Sequence, residues 1–270
     1  MQIGGPGRTW FYGLRQSRNG SGARFEMTTG GRAGVLARQT RGAVKRGLQR
    51  TLALVLHTAG RERSTRFIRR RALTASSLVP PAPVDIVGNY VRGLILEGTP
   101  ESSLFETSWV NDSTRGVVTA ETVRIPSRLR AVQRRLGYET RFDEDFAEII
   151  WSCRRNEGSW LTPQVIGLYE KLHALGFVPT VGTYSDGKLI GGLWGLQVGR
   201  TFGIMSVFHH ADHAGTIAQV AVLDQIGPEG RWDVVDCGTL KKHYARFGFH
   251  EIPAEAFCEL VLRGAAPRPT

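Results

Sequence analysis

The sequence predicts an α+β fold on a mixed sheet, and three features carry that prediction. Asp186-Gly187 separates two runs, together spanning Thr180 to Leu196, in which apolar residues alternate with small or polar ones, the pattern of a tight β-hairpin. The second run passes a break at Gly199-Arg200 into another β-rich run, Thr201 to Phe208, so a three-stranded antiparallel meander is expected. After it, Ala214 to Ile226 carries Ile217, Val220, Ala221 and Leu223 at helical spacing. Trp232 to Asp236 then has the length and apolarity of a short buried strand, and a further helix follows.

The elements before the meander follow from the N-terminus. The first 30 residues are rich in Gly, Arg and Ser. From Ala33 to Leu73 a helical pattern runs through Val44, Leu48, Leu52, Val55, Phe67 and Ile68, with Arg and Lys on the other face. Residues 1–83 are therefore expected to form a basic extension ending at Pro80-Pro81-Ala82-Pro83: an arm for RNA or a membrane surface, a solvated basic helix, or an organelle transit peptide. Residues 84–140 are expected as a small domain. They comprise a helix over Val84 to Leu96, strand and turn over Trp109 to Glu121, and a helix opening at Pro126-Ser127 with Ser127 as its cap. That helix turns Leu129, Val132 and Leu136 inward and Arg128, Arg130, Arg134 and Arg135 outward. The C-terminal domain, residues 141–270, should begin with an amphipathic helix over Phe142 to Cys153. A second helix, capped by Thr162, opened by Pro163 and stopped at Gly176, should follow.

Composition bounds what such a chain does. Its 270 residues, 41% hydrophobic, suffice for one large or two modest domains with ordinary cores and exclude a disordered chain. Lys and Arg number 35 against 24 Asp and Glu, a formal charge of +11, which points to an anionic partner or a basic tail. Residues 1–84 hold sixteen of those cations and only Glu26 and Glu62 as acids, so much of the surplus is N-terminal. No stretch reaches the roughly 20 apolar residues that span a bilayer, and no membrane partner is expected. Cys153, Cys237 and Cys258 are odd in number and widely spaced. That argues for a reducing, cytoplasmic compartment and against a disulfide frame or a zinc site.

Among residues that could carry chemistry, Asp236 ends a predicted buried strand, where active sites of open sheets are commonly found. A carboxylate there could orient or deprotonate an amine; its bland role is to cap the next helix. His243 could be a second polar group. His209-His-Ala-Asp-His213 matches no common zinc spacing, and Asp212 reads as a cap. Gly191-Gly-Leu-Trp-Gly195 lies within a strand pattern and opens no helix, so it is no phosphate loop. Trp109, Trp160, Trp194, Phe202 and Phe208 could wall an apolar pocket or stack on a base.

Several blocks, in order, make the chain resemble the leucyl/phenylalanyl-tRNA protein transferase family. They are Gly158-Ser-Trp-Leu-Thr162, Tyr169-Glu-Lys-Leu-His-Ala-Leu-Gly176, Leu189-Ile-Gly-Gly-Leu-Trp-Gly195, Ser206-Val-Phe208, Val235-Asp-Cys237, and Ile252-Pro253 with Phe257. Weaker matches lie at Tyr90-Val-Arg-Gly93, Trp109 to Arg115 and the arginine helix, so the likeness spans Val84 to Leu262. The resemblance implies an acetyltransferase-like (GNAT-type) sheet. It also implies transfer of a Leu/Phe-like aminoacyl group from charged tRNA to an amine, classically a protein N-terminus; a monomer without a cofactor is expected. It casts Asp236 as the catalytic carboxylate, Trp109, Trp160, Leu193, Phe202, Val207 and Val235 as the pocket for the amino-acid side chain and terminal adenosine, and Arg128, Arg130 and Arg134 as contacts to the tRNA acceptor stem.

The chain departs from the family where acids and an amide are usual: Met205, Gly182 and Gly238 stand there instead. Loss of these groups implies an altered acceptor, a different N-terminus or a small amine. A catalytically inactive tRNA-binding paralogue is the alternative. An acyl-CoA acetyltransferase would need a pyrophosphate-binding turn that His209 to Gly215 does not offer.

Overall fold

The computed structural model describes residues 80–99, 107–111 and 113–265. The basic extension expected before Pro80 lies outside them. The described residues belong to one compact unit.

Helix α1, Pro83–Val91, starts where Pro supplies a preset φ and Asp85 accepts the Ala82 N–H at 3.3 Å. It is shorter than the expected helix over Val84 to Leu96. Gly93 at φ 79 ends it, and Leu94–Gly98 instead forms strand β1, paired antiparallel with β2, Thr107–Asn111. Strand β3 is Thr114–Thr119 and α2 is Ser127–Leu136. Pro126, not Ser127, is the N-cap of α2, and none of its residues is fully buried. β4, Glu139–Phe142, and α3, Phe146–Cys153, replace the single helix expected from Phe142. Asp143 and Asp145 at φ 61 and 49 break the helical path, and Phe142 packs against Trp232 instead. α4, Pro163–Ala174, begins as expected, with the Val165 N–H donating to Thr162 Oγ1 at 3.4 Å.

The meander is present: β5 Thr180–Ser185, β6 Lys188–Val198 and β7 Thr201–His209, with Asp186 and Gly187 at φ 50 and 74, the doubly left-handed turn that joins twisted strands. α5, Ala214–Leu223, β8, Val234–Asp236, α6, Lys242–Ala245, β9, His250–Pro253, and α7, Ala254–Ala265, complete the described chain.

Seven strands form the main sheet in the order β4-β5-β6-β7-β8-β3-β9, and β7–β8 is its single parallel pair. β3 lies between β8 and β9, and β4 forms an edge. The sheet therefore crosses the domain boundary expected at residue 140, because a strand from before it is paired on both sides within the sheet behind it. One face carries α1, α3, α4 and α7 over a core that includes Tyr90, Ile149, Leu172 and Phe257. The other carries α5 over Phe202, Val220, Trp232 and Phe247. Each such buried side chain contributes roughly 1.5–3 kcal/mol by leaving water, so both faces are firmly held.

Candidate functional site

The parallel pair is brief. β7 meets β8 at Thr201–Val234, Phe202–Val235 and Gly203–Asp236; there β8 ends, while β7 continues to His209. The sheet is thus split beside Asp236. In β7 the register against β6 shifts, with Ile204 opposite Gly195 and Ser206 opposite Trp194, so Met205 is an extra, bulged residue. A bulge redirects neighbouring side chains. Four successive residues, Ile204, Met205, Ser206 and Val207, accordingly border one cavity of about 380 Å³ at the split.

The remaining walls come from both sides of the sheet: Trp160 and the residues after α3, Gln219 of α5, and Cys237, Lys241, His243 and Tyr244 after β8. Arg155, Asn156, Lys241 and His243 are exposed at the rim; Cys153, Ile204, Gln219 and Tyr244 are the buried lining. No lining residue is acidic. The expected oily pocket is instead mixed: Trp160, Ile204, Met205 and Val207 face amide, hydroxyl, thiol and imidazole groups.

Asp236 stands behind this wall, 1% exposed, not on it. Its carboxylate accepts from Arg115 Nε at 3.1 Å and from Arg115 Nη2, from Tyr90 Oη at 2.9 Å and from the Gly238 N–H at 2.8 Å. Arg115 is equally buried and also reaches the Gly93 carbonyl at 3.4 Å. Tyr90 can cross the strand because position 203 is glycine: a Cβ there would come within 2.2 Å of the Tyr90 hydroxyl. Asp236 is thus not a lone acid. With its charge met by a guanidinium and both oxygens occupied, it fixes the turn that carries Cys237 into the cavity wall.

Burial raises the Tyr90 hydroxyl well above its ordinary value, and Asp236 raises it further, so Tyr90 stays a donor. Burial likewise pushes the Cys153 thiol up to about 12 and raises that of Cys237, keeping both uncharged at neutral pH. At the rim, partial burial, then Lys241 and Arg246, lower His243 below its ordinary 6.5. That imidazole is neutral at pH 7.

The other expected site residues separate into groups. Trp160 and Val207 line the cavity. Leu193, Phe202 and Val235 are sealed in the core beneath α5, Phe202 stacked on Trp232 at 4.7 Å, and none borders the cavity. Trp109 lies on β2 opposite Leu96. Arg130 is engaged with Asp224, with Nη1 at 2.7 Å from Oδ2. Arg128 lines a second cavity of about 500 Å³ with Arg135, His213, Arg246 and the apolar Leu129 and Val132, and Arg134 is exposed and borders neither cavity. At the departures, Met205 borders the main cavity. Gly238 at φ 70 offers only its backbone, and Gly182 lies under the Tyr184 ring, 2.6 Å from where a Cβ would stand.

Sequence reasoning gave no role to Arg115, Tyr90 or Gln219. The first two fall in blocks noted only as weak matches. Gln219 was detectable as the one amide in an otherwise apolar helix.

A mixed sheet split beside its one parallel pair, with a cavity at the split, is the acetyltransferase-like α+β architecture. The family model for leucyl/phenylalanyl-tRNA protein transferases matches residues 117–262, more than half of the chain, and the chain belongs to that family. It is 31% identical over 180 residues to the leucyl/phenylalanyl-tRNA–protein transferase of Dechloromonas aromatica, covering 65% of this chain and 75% of the relative. Its counterpart in Laribacter hongkongensis is 32% identical over 200 residues, covering 71% and 84%. The GCN5-related glucosamine N-acetyltransferase region of a fungal multi-domain GH3 β-N-acetylglucosaminidase superposes with a TM-score of 0.37 and 14% identity, over 64% of this chain and 22% of that one. An overlap that loose carries no weight, and the fold assignment rests on strand order. No helix among the described residues is long and apolar enough to cross a membrane.

Proposed function

We propose that the chain transfers an aminoacyl group from tRNA to an amine, with the aminoacyl-adenosine end of the tRNA seated in the cavity beside Asp236. The observation that carries this reading is the cavity itself: it opens where the sheet of an aminoacyl-tRNA-using family splits, and its rim bears Arg155 and Lys241 for an anionic strand. In the reaction the acceptor nitrogen attacks the ester carbonyl. The C–N bond forms, the bond to the tRNA 3′ oxygen breaks, and the proton lost by nitrogen ends on that oxygen. An activated ester needs a positioned, neutral amine more than a strong nucleophile. Neutral His243 is the group at the rim able to take a proton from an incoming ammonium. Asp236, with Arg115 and Tyr90, is a positioning residue.

The acceptor is one without a cationic side chain. No carboxylate borders the cavity, and Arg155 and Lys241 would repel an N-terminal Arg or Lys. A second reading, a tRNA-binding paralogue without activity, is favoured by the occupied state of Asp236.

Incubating the protein with a set of labelled aminoacyl-tRNAs and peptides bearing neutral, acidic or basic N-termini separates the two. Transfer to neutral or acidic N-termini is expected, with an acid limb displaced below the ordinary imidazole range as His243 protonates. His243→Gln should lose most of the rate together with that acid limb. Tight tRNA binding with no transfer to any amine would establish the second reading instead.

A further inference from the structure

We propose that Gln219 selects the aminoacyl group, favouring an uncharged side chain that hydrogen-bonds, such as a carboxamide, over the apolar ones of leucine and phenylalanine. This rests on the reading that the cavity receives the aminoacyl end.

Every other buried residue of α5 is apolar or glycine, from Ala214 through Ile217, Val220 and Leu223. Gln219 is 7% exposed, and what remains open of it borders the cavity. Its amide makes no hydrogen bond to the described residues. Of the other buried polar groups near the sheet, Arg115 pairs with Asp236, Thr183 with the Ala214 carbonyl and Thr180 with the Glu144 carbonyl, while the Tyr169 and Thr201 hydroxyls, which lack a partner among the described residues, do not border the cavity as Gln219 does. A primary amide offers two N–H donors and an acceptor oxygen. In an empty cavity, water can meet them; under a leucyl or phenylalanyl side chain they would be desolvated and unmet, which opposes binding. An amide or hydroxyl on the incoming side chain would meet them, and Ser206, which also contacts the Cys153 thiol, stands on the same lining. A cationic side chain gains nothing there, because no lining residue is acidic, and an anionic one would meet Arg155 and Lys241 only at the exposed rim, so that burying either charge beside Gln219 is costly. The result is discrimination by polarity at the buried end of the cavity. Sites built to hydrogen-bond reject an analogue that lacks the group more sharply than apolar pockets reject a methylene.

The test uses stable, amide-linked 3′-aminoacylamino-3′-deoxyadenosines carrying glutaminyl, asparaginyl, leucyl or phenylalanyl groups, titrated into the full chain by calorimetry. Glutaminyl or asparaginyl compounds should bind at least about tenfold more tightly than leucyl or phenylalanyl ones. Gln219→Leu, and Gln219→Met as a variant of closer shape, should reverse the order by a similar factor while thermal melting confirms that both are folded. Equal binding of all four compounds, or tighter binding of the leucyl compound to the wild-type chain, would overturn the inference and leave the cavity's role standing. Binding of none would overturn that role, and this inference with it.

Discussion

At the scale of residues, the buried Arg115–Asp236 pair is the feature with the largest stake. Two ions taken out of water gain little net stability when paired well, but removing one leaves the other uncompensated, at a cost of roughly 3–5 kcal/mol. Asp236→Ala and Arg115→Ala should each lower stability by about that amount in urea unfolding. The double variant Asp236→Ala/Arg115→Ala should lose clearly less than the sum, since no lone charge remains. Losses below about 1 kcal/mol in either single variant would mean that the pair is not holding the strand end. Arg115→Lys keeps the charge but not the fork, and it should fall between wild type and Arg115→Ala.

Among the elements, α2 is held least by burial: its inner residues are only partly covered, and the contact of Arg130 with Asp224 at the end of α5 ties it to the sheet. That pair is about one-third exposed on each side, so it contributes only about 0.2–1 kcal/mol. Its importance is orientation. Arg128 and Arg135 of the same helix border, with His213 and Arg246, one groove that Pro126, Leu129, Ala131 and Val132 also line, and in the proposed reading these cations meet phosphates. Replacing Arg128 and Arg135 together by Ala should weaken tRNA binding and reduce the slope of log affinity against log salt by about 2, roughly one per phosphate contact. Arg130→Ala should leave that slope nearly unchanged. The opposite pattern, with Arg130 carrying the salt dependence, would refute this division of labour.

For the whole molecule, strand order makes a prediction that no single element makes. β3 precedes residue 140 in the chain, yet it fills the gap between β8 and β9, and its partner residues run from Val117 against Asp236 to Thr114 against Pro253. A fragment of residues 141–270 would present two unpaired inner edges where β3 belongs. Expressed alone, it should show no dispersed amide spectrum. Adding a fragment that contains residues 80–140 should restore one. A folded 141–270 fragment would show that β3 is dispensable.

The hairpin, the meander, the capped helix α4 and the strand ending at Asp236 were legible in the sequence because each is specified locally, by alternation, by Asp-Gly or by Thr-Pro. The break at Asp143 was not, because the apolar spacing from Phe142 to Cys153 fits a helix as well as a strand end followed by one. The family was legible as well, since ordered blocks survive divergence that no single motif would. What the cavity is made of was decided only by tertiary structure. Leu193, Phe202 and Val235 look like pocket residues by type, but the pleat turns them beneath α5, while a bulge at Met205 turns its neighbours outward. Asp236 looks like a free acid until Arg115 and Tyr90, 121 and 146 residues away in the chain, close on it. Pleat, register and long-range pairing are properties of strands laid side by side, and a residue's type does not record which neighbour it will meet there.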